Sequence, residues 1–119
     1  MKVRKIVLKQ GSVEKYFKEV EESLDKPLDN SNVLYFEDIS HIKKILTEER
    51  LKILYTIKHK KIESVYSLAK MLKRDRKAVT IDLEMLENLG FIDLNKEEGT
   101  RLVTRPSLNY DRLDISIEF

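Results

Sequence analysis

Two apolar stripes at helical spacing, parted by a short basic segment, constrain this chain more than any other feature. In "SVYSLAKMLKRDRKAVTIDLEMLENLG", residues 64–90, Val65, Leu68, Ala69 and Leu72 recur at i, i+3, i+4 and i+7, and Val79, Leu83 and Leu86 form a second stripe. That spacing predicts two amphipathic helices. The first starts at Ser64, and Asp75 is the expected N-cap of the second. Only Lys73, Arg74 and Asp75 join the two helices, which leaves room for a sharp corner and little else. Gly90 is placed to end the second helix in the left-handed conformation.

The flanks extend the pattern. Thr47 is positioned to cap an earlier helix with Glu48 and Glu49 in its first turn and a buried stripe of Leu51, Leu54 and Ile57. After Gly90, "FIDLNKEEGTRLVTRP" reads as strand, turn, strand, with Gly99 in the turn. Helix, helix, helix, strand, turn, strand over 47–106 is the order of a winged helix-turn-helix, and a plain helical bundle leaves the strand pair unexplained. At the start, residues 2–8 read as a strand. Gly11 and Ser12 break it, and Val13, Tyr16, Phe17, Val20 and Leu24 then give a helical stripe over 13–24. "DKPLDNSN" (25–32) is a loop, "VLYFED" (33–38) has strand character, and "RLDISIEF" (112–119) alternates Leu113, Ile115, Ile117 and Phe119 on one strand face. The expected fold class is α+β: a winged helix-turn-helix with an added N-terminal strand-helix segment and a C-terminal strand.

Charge distribution says more than its total, a formal +2 over 119 residues. Residues 41–82 carry twelve basic against five acidic side chains, net +7, whereas residues 1–40 are net −1 and 83–119 net −4. One strongly basic third in a near-neutral chain reads as a polyanion-binding face. A solvated, lysine-rich helix is the bland alternative. The expected division is an N-terminal extension, residues 1–39, and a DNA-binding domain, residues 40–119, that includes the C-terminal strand. The chain contains no cysteine, so it has neither disulfide nor thiolate metal site. No apolar run approaches the roughly 18 residues of a membrane span, and the start lacks a secretory apolar region. A cytoplasmic location without a membrane partner is expected.

On the second helix of the pair, Lys77, Ile81, Glu84 and Asn88 lie opposite the buried stripe, flanked by Arg76 and Thr80. Recognition helices present their N-terminal turns to the major groove. Arg76, Lys77, Thr80 and Ile81 are therefore the candidates for bases or adjacent phosphates. Arginine and lysine donate to guanine, and an apolar side chain packs on the thymine methyl. Ile81 fits two other readings, a different helix phase or packing on another segment. Lys73 and Arg74 in the corner, Ser64 and Ser67 at a helix start, and Arg101 and Arg105 on the strand pair, whose base is expected to approach DNA, are candidates for phosphate. Surface ion pairs are the alternative for the arginines. Glu97 and Glu98 at the hairpin tip would repel phosphate.

The stretch "LAKMLKRDRKAVTIDLEMLENLGFI" resembles the winged-helix transcriptional regulators related to MarR. The short strand and helix at the start, "FED", "LTEERLKIL" and the closing "YDRLDISIEF" extend the likeness, over nearly the whole chain, to predicted small DNA-binding regulators of archaea and bacteria. The resemblance implies a transcriptional regulator of double-stranded DNA. For some relatives it implies an antitoxin with a toxin as protein partner. The chain departs from the pattern at Lys73 and Arg74, where many helix-turn-helix units carry glycine and an apolar residue. It departs again at Thr80 and Ile81, where relatives carry a basic residue or histidine.

Catalytic chemistry finds no support. His41 and His59 lack metal-ligand spacing, the three glycines fit breaks and turns, and the carboxylate pairs fall on exposed faces. The expectation is a protein without cofactor or metal and not an enzyme. A homodimer is expected as the working unit, because one recognition helix reads few base pairs. The stripe of Val13, Tyr16, Phe17, Val20 and Leu24 is the candidate for dimerisation, unless it and the C-terminal strand cover each other within one chain. An interaction module that binds a protein through its winged helix stays open beside the DNA reading.

Overall fold

The computed structural model describes residues 5–11, 14, 31–99 and 102–117, and over them the chain is α+β, with four helices and two sheets. In chain order the elements are β1 (Lys5–Gln10), β2 (Ser31–Phe36), α1 (Ile39–Ile45), α2 (Glu48–His59), α3 (Val65–Leu72) and α4 (Arg76–Asn88). They are followed by β3 (Asp93–Glu98), β4 (Leu102–Ser107) and β5 (Arg112–Ser116). The chain divides into two compact units, Met1–Leu46 with Tyr110–Phe119, and Thr47–Asn109. None of the described helices is long and apolar enough to cross a membrane.

In the first unit β1 is the central strand, parallel to β2 on one side and to β5 on the other. Ile6 and Leu8, two residues apart and so on one face, are buried. Leu113 and Ile115 stand opposite them in the register of β5. The expected half-buried face of the last strand is only partly covered: Leu113 is half-buried, but Ile115 is 48% exposed and Ile117 is exposed too. Strand β5 lies at the edge of this sheet. Phe119 and the expected stripe of Val13, Tyr16, Phe17, Val20 and Leu24 lie outside the described residues, as do residues 25–30 of the expected loop.

Helix α1 falls where no element is read from the sequence. Asp38 caps it, its carboxylate accepting from the Ser40 hydroxyl at 2.6 Å and the His41 amide at 3.0 Å. Those two hydrogen bonds, the Ser40 bond first, hold the Asp38 carboxyl below its usual 3.8.

In the second unit each helix start is capped. The Thr47 hydroxyl accepts from the Arg50 amide, Ser64 and Ser67 form a reciprocal capping box, and Asp75 accepts from the Ala78 amide. The stripe of α4 is as expected, with Val79, Leu83 and Leu86 all buried, and α3 buries Leu68 and Ala69. The stripe of α2 is rotated from its expected phase. Ile53, Leu54 and Ile57 are buried, while Leu51 is 46% exposed. The i position of that stripe belongs to Arg50, a half-buried cation, so a phase counted from apolar residues alone slips by one. After α4 the antiparallel pair of β3 and β4 follows, with Asn95 opposite Arg105 and Glu98 opposite Leu102. Phe91 and Ile92 at its entry, and Ile62 between α2 and α3, are buried as well.

Candidate nucleic-acid interface

Helix α4 has one buried face and one open face. Opposite Val79, Leu83 and Leu86 stand Lys77, Ile81, Glu84 and Asn88, all exposed, with Ile81 at 59%. The first turn contains Arg76 and Lys77 and no acid. The N-terminus is the positive end of a helix dipole, and a cation there is unfavourable by about 0.3–1 kcal/mol. The amides of α2 meet the opposite arrangement, Glu48 and Glu49. The N-cap Asp75 is one acid at this helix start, and Arg76 and Lys77 after it set two cations against the dipole, an arrangement suited to an external anion. The side chains of Lys73, Arg76 and Lys77 are exposed and make no hydrogen bond or ion pair among the described residues. The half-buried Thr80 donates its hydroxyl to the Arg76 carbonyl at 2.8 Å.

Beside this face runs a groove of about 930 Å³ between α4, the start of α3 and the β3–β4 pair. Tyr66, Arg76, Thr80, Glu84, Lys96 and Thr104 are among the residues that line it. The sign of its charge changes along α4, cationic at Arg76 and anionic at Glu84 and Glu87. A polyanion would meet a favourable field only at the N-terminal end. Tyr66 and Thr104 are absent from the sequence-derived set. Tyr66 is exposed, and Lys70, four residues on, holds its ammonium 5.7 Å from the ring centre. That i, i+4 pair was legible, but an aromatic at a helix start reads equally as core.

The remaining expected contacts are distributed differently. Ser64 lines the groove, yet the hydroxyls of Ser64 and Ser67 are occupied by the capping box at about 3 Å. The Arg105 guanidinium donates to the Glu63 carbonyl at 3.2 Å and lies 3.4 Å from Glu97. Arg101 lies outside the described residues. Arg74, expected to face outward beside Lys73, turns inward: its Nη1 is 2.9 Å from Asp82 Oδ2 and its Nε 3.7 Å from Glu49.

Asp82, buried on α4, binds a second guanidinium as well, with Arg50 Nε 3.2 Å from its other oxygen. This cluster is absent from the sequence reading, and its signal is visible in hindsight. Residues 50, 53, 54 and 57 of α2 and 79, 82, 83 and 86 of α4 are each an i, i+3, i+4, i+7 stripe with one charged member. The two charged members, opposite in sign, are each other's partners.

Residues 45–115 match the model of a protein family described as HVO_A0114, a span that contains the whole Thr47–Asn109 unit. No curated protein matches the chain.

Proposed function

The chain belongs to the HVO_A0114 family, and we propose that it is a sequence-specific, double-stranded DNA-binding transcriptional regulator of the cytoplasm. In this reading the Thr47–Asn109 unit is a winged helix-turn-helix of the MarR-related kind. Helix α4 enters the major groove, the β3–β4 pair is the wing, and a phosphate strand meets the N-terminal end of the groove between them. One observation carries the proposal: Arg76 and Lys77 stand exposed in the first turn of α4, against its dipole, with the N-cap Asp75 before them and no acid in the turn itself. Arg76, Lys77, Thr80 and Ile81 read bases or adjacent phosphates, and Lys73 meets the backbone. Glu84 and Glu87 restrict the approach of phosphate to the first turns of α4. The working unit is a homodimer on half-sites about one helical turn, roughly 34 Å, apart.

The test is a mobility shift of the DNA upstream of the chain's own gene, at physiological salt with excess unrelated DNA. A shift that survives the competitor supports the proposal, and its absence sinks sequence-specific binding. Sedimentation of the full chain tests the dimer, which a monomer at tens of micromolar would exclude.

A second reading, an antitoxin or other protein-binding module, is favoured by one feature away from α4. Leu51, Tyr55 and Leu72 line a small apolar hollow of about 440 Å³, with Tyr55 67% exposed. Substituting Leu51 and Tyr55 by serine separates the readings, because DNA binding should survive and partner binding should not.

A further inference from the structure

The four basic residues around the corner are not equivalent. Lys73, Arg76 and Lys77 are exposed, whereas the Arg74 side chain is 23% exposed and ends on Asp82, whose side chain is 12% exposed. Both Asp82 oxygens are occupied, Oδ1 by Arg50 and Oδ2 by Arg74, and Glu49 lies on the far side of the Arg74 guanidinium. Two arginines and two carboxylates thus cancel within the unit. For Arg74 to reach a phosphate it must leave a largely buried carboxylate with one partner fewer, which is unfavourable. Its backbone is no freer, since the Arg74 amide donates to the Ala69 carbonyl at 3.0 Å.

We propose that Asp82 is a positioning residue that withholds Arg74 from nucleic acid, so that the corner meets phosphate through Lys73 alone. This rests on the DNA-binding reading and adds a mechanism for specificity to it. Contacts to phosphate bind all sequences alike. An internal carboxylate that competes with phosphate for an arginine therefore lowers binding to random DNA and leaves the base-reading face of α4 unchanged. Asp82 also ties the corner to the first turn of α2 through Arg50, which fixes α4 while it neutralises the corner.

The experiment is a salt titration of the full chain on a short random-sequence duplex, read by fluorescence anisotropy. Four proteins are compared: wild type, Asp82→Asn, Arg74→Met and the double variant. Asp82→Asn keeps the shape and removes the charge. Its slope of log K against log salt should be steeper by about 1 per protomer, from roughly 0.9 per added phosphate contact, with tighter binding at low salt. Arg74→Met should keep the wild-type slope, and the double variant should return to it. A loss of packing alone moves affinity without adding a phosphate contact. An unchanged slope in Asp82→Asn overturns the proposal, and so does a slope flatter by about 1 in Arg74→Met. If circular dichroism shows that Asp82→Asn does not fold, the Arg74→Met slope decides by itself. A wild-type chain that binds no duplex overturns the DNA reading and this proposal together. Binding by wild type with a flatter Arg74→Met slope overturns this proposal only.

Discussion

Lys73 occupies, at the end of α3, the same left-handed position that Gly90 occupies at the end of α4. The two helices close through identical bonds. The Lys73 and Arg74 amides donate to the Lys70 and Ala69 carbonyls, as the Gly90 and Phe91 amides donate to those of Glu87 and Leu86. Lys73 has φ 54° and Gly90 φ 89°. A side chain in that region costs about 1–2 kcal/mol, which glycine avoids. The corner thus holds a cation at a position that glycine would occupy without strain.

Replacing Lys73 by glycine should therefore leave thermal stability unchanged or raise it by about 1 kcal/mol. Affinity for duplex DNA should fall by a similar factor on every sequence, with a flatter salt slope. Gly90→Ala should lose roughly 1–2 kcal/mol with DNA contacts intact. Chemical denaturation and anisotropy on the same preparations check both. Unchanged DNA affinity in Lys73→Gly would remove the corner from the interface.

Arg76→Ala and Lys77→Ala should separate stability from binding in the opposite direction. Each removes a cation from the positive end of α4, so melting temperature should hold or rise, by at most about 1 kcal/mol of stability. Each should weaken the best site by roughly 1–3 kcal/mol if the side chain reads a base. Equal losses on specific and random DNA would reassign that residue to phosphate.

The Arg50–Asp82 pair makes a prediction about folding that is independent of DNA. Asp82→Ala leaves two guanidiniums without their carboxylate and should cost on the order of 3 kcal/mol. The double variant Arg50→Met, Asp82→Leu removes both charges from the two stripes and should be less damaging than Asp82→Ala alone. Urea unfolding of Arg50→Met, Asp82→Leu, the double variant and Asp82→Ala measures the coupling. A double variant whose cost equals the sum of the single ones would mean that the pair contributes nothing as a pair.

Tyr110 gives an alkaline test. It is buried, and its hydroxyl has no hydrogen-bond partner among the described residues. Burial raises its pKa above the ordinary 10.0. The unfolded chain then releases this proton at lower pH than the folded one, so its contribution to stability is complete below pH 10.0 and declines as pH rises beyond it. Tyr110→Phe should be as stable as wild type near neutrality, or more stable by about 1 kcal/mol. Its advantage should widen above pH 10.0. Denaturation at neutral and alkaline pH follows the difference, and parallel curves would show that Tyr110 ionises as freely as an exposed phenol.

The corner between α3 and α4 was legible because its information is local: two stripes, a cap at Asp75 and a stop at Gly90. The exposed face of α4, with Lys77 and Ile81 on it, followed from the same periodicity. What stayed hidden depended on distance or on a charge inside an apolar pattern. Arg50 and Asp82 hold stripe positions that a search for apolar residues passes over, which also displaced the expected phase of α2 toward Leu51. Four neighbouring cations look alike as letters, and only the fold separates Arg74 from Lys73. Helix α1 has seven residues and one buried side chain, Ile42, too few for a period to emerge. The partners of β1 are encoded by no spacing, because the strands that flank it are distant in the chain.

The pairing of Lys5 with Arg112 has a consequence in time. Within Thr47–Asn109 the most extensive contacts join neighbours, α3 with α4 and β3 with β4, and short closures cost little entropy and form quickly. The sheet of the other unit is complete only when residues from opposite ends of the sequence meet. The helices and hairpin can therefore form while β1 still awaits its far neighbour. Refolding should show the same sequence of events, helical signal early and the last of the sheet late, with the slow step set by the search of β5 for β1.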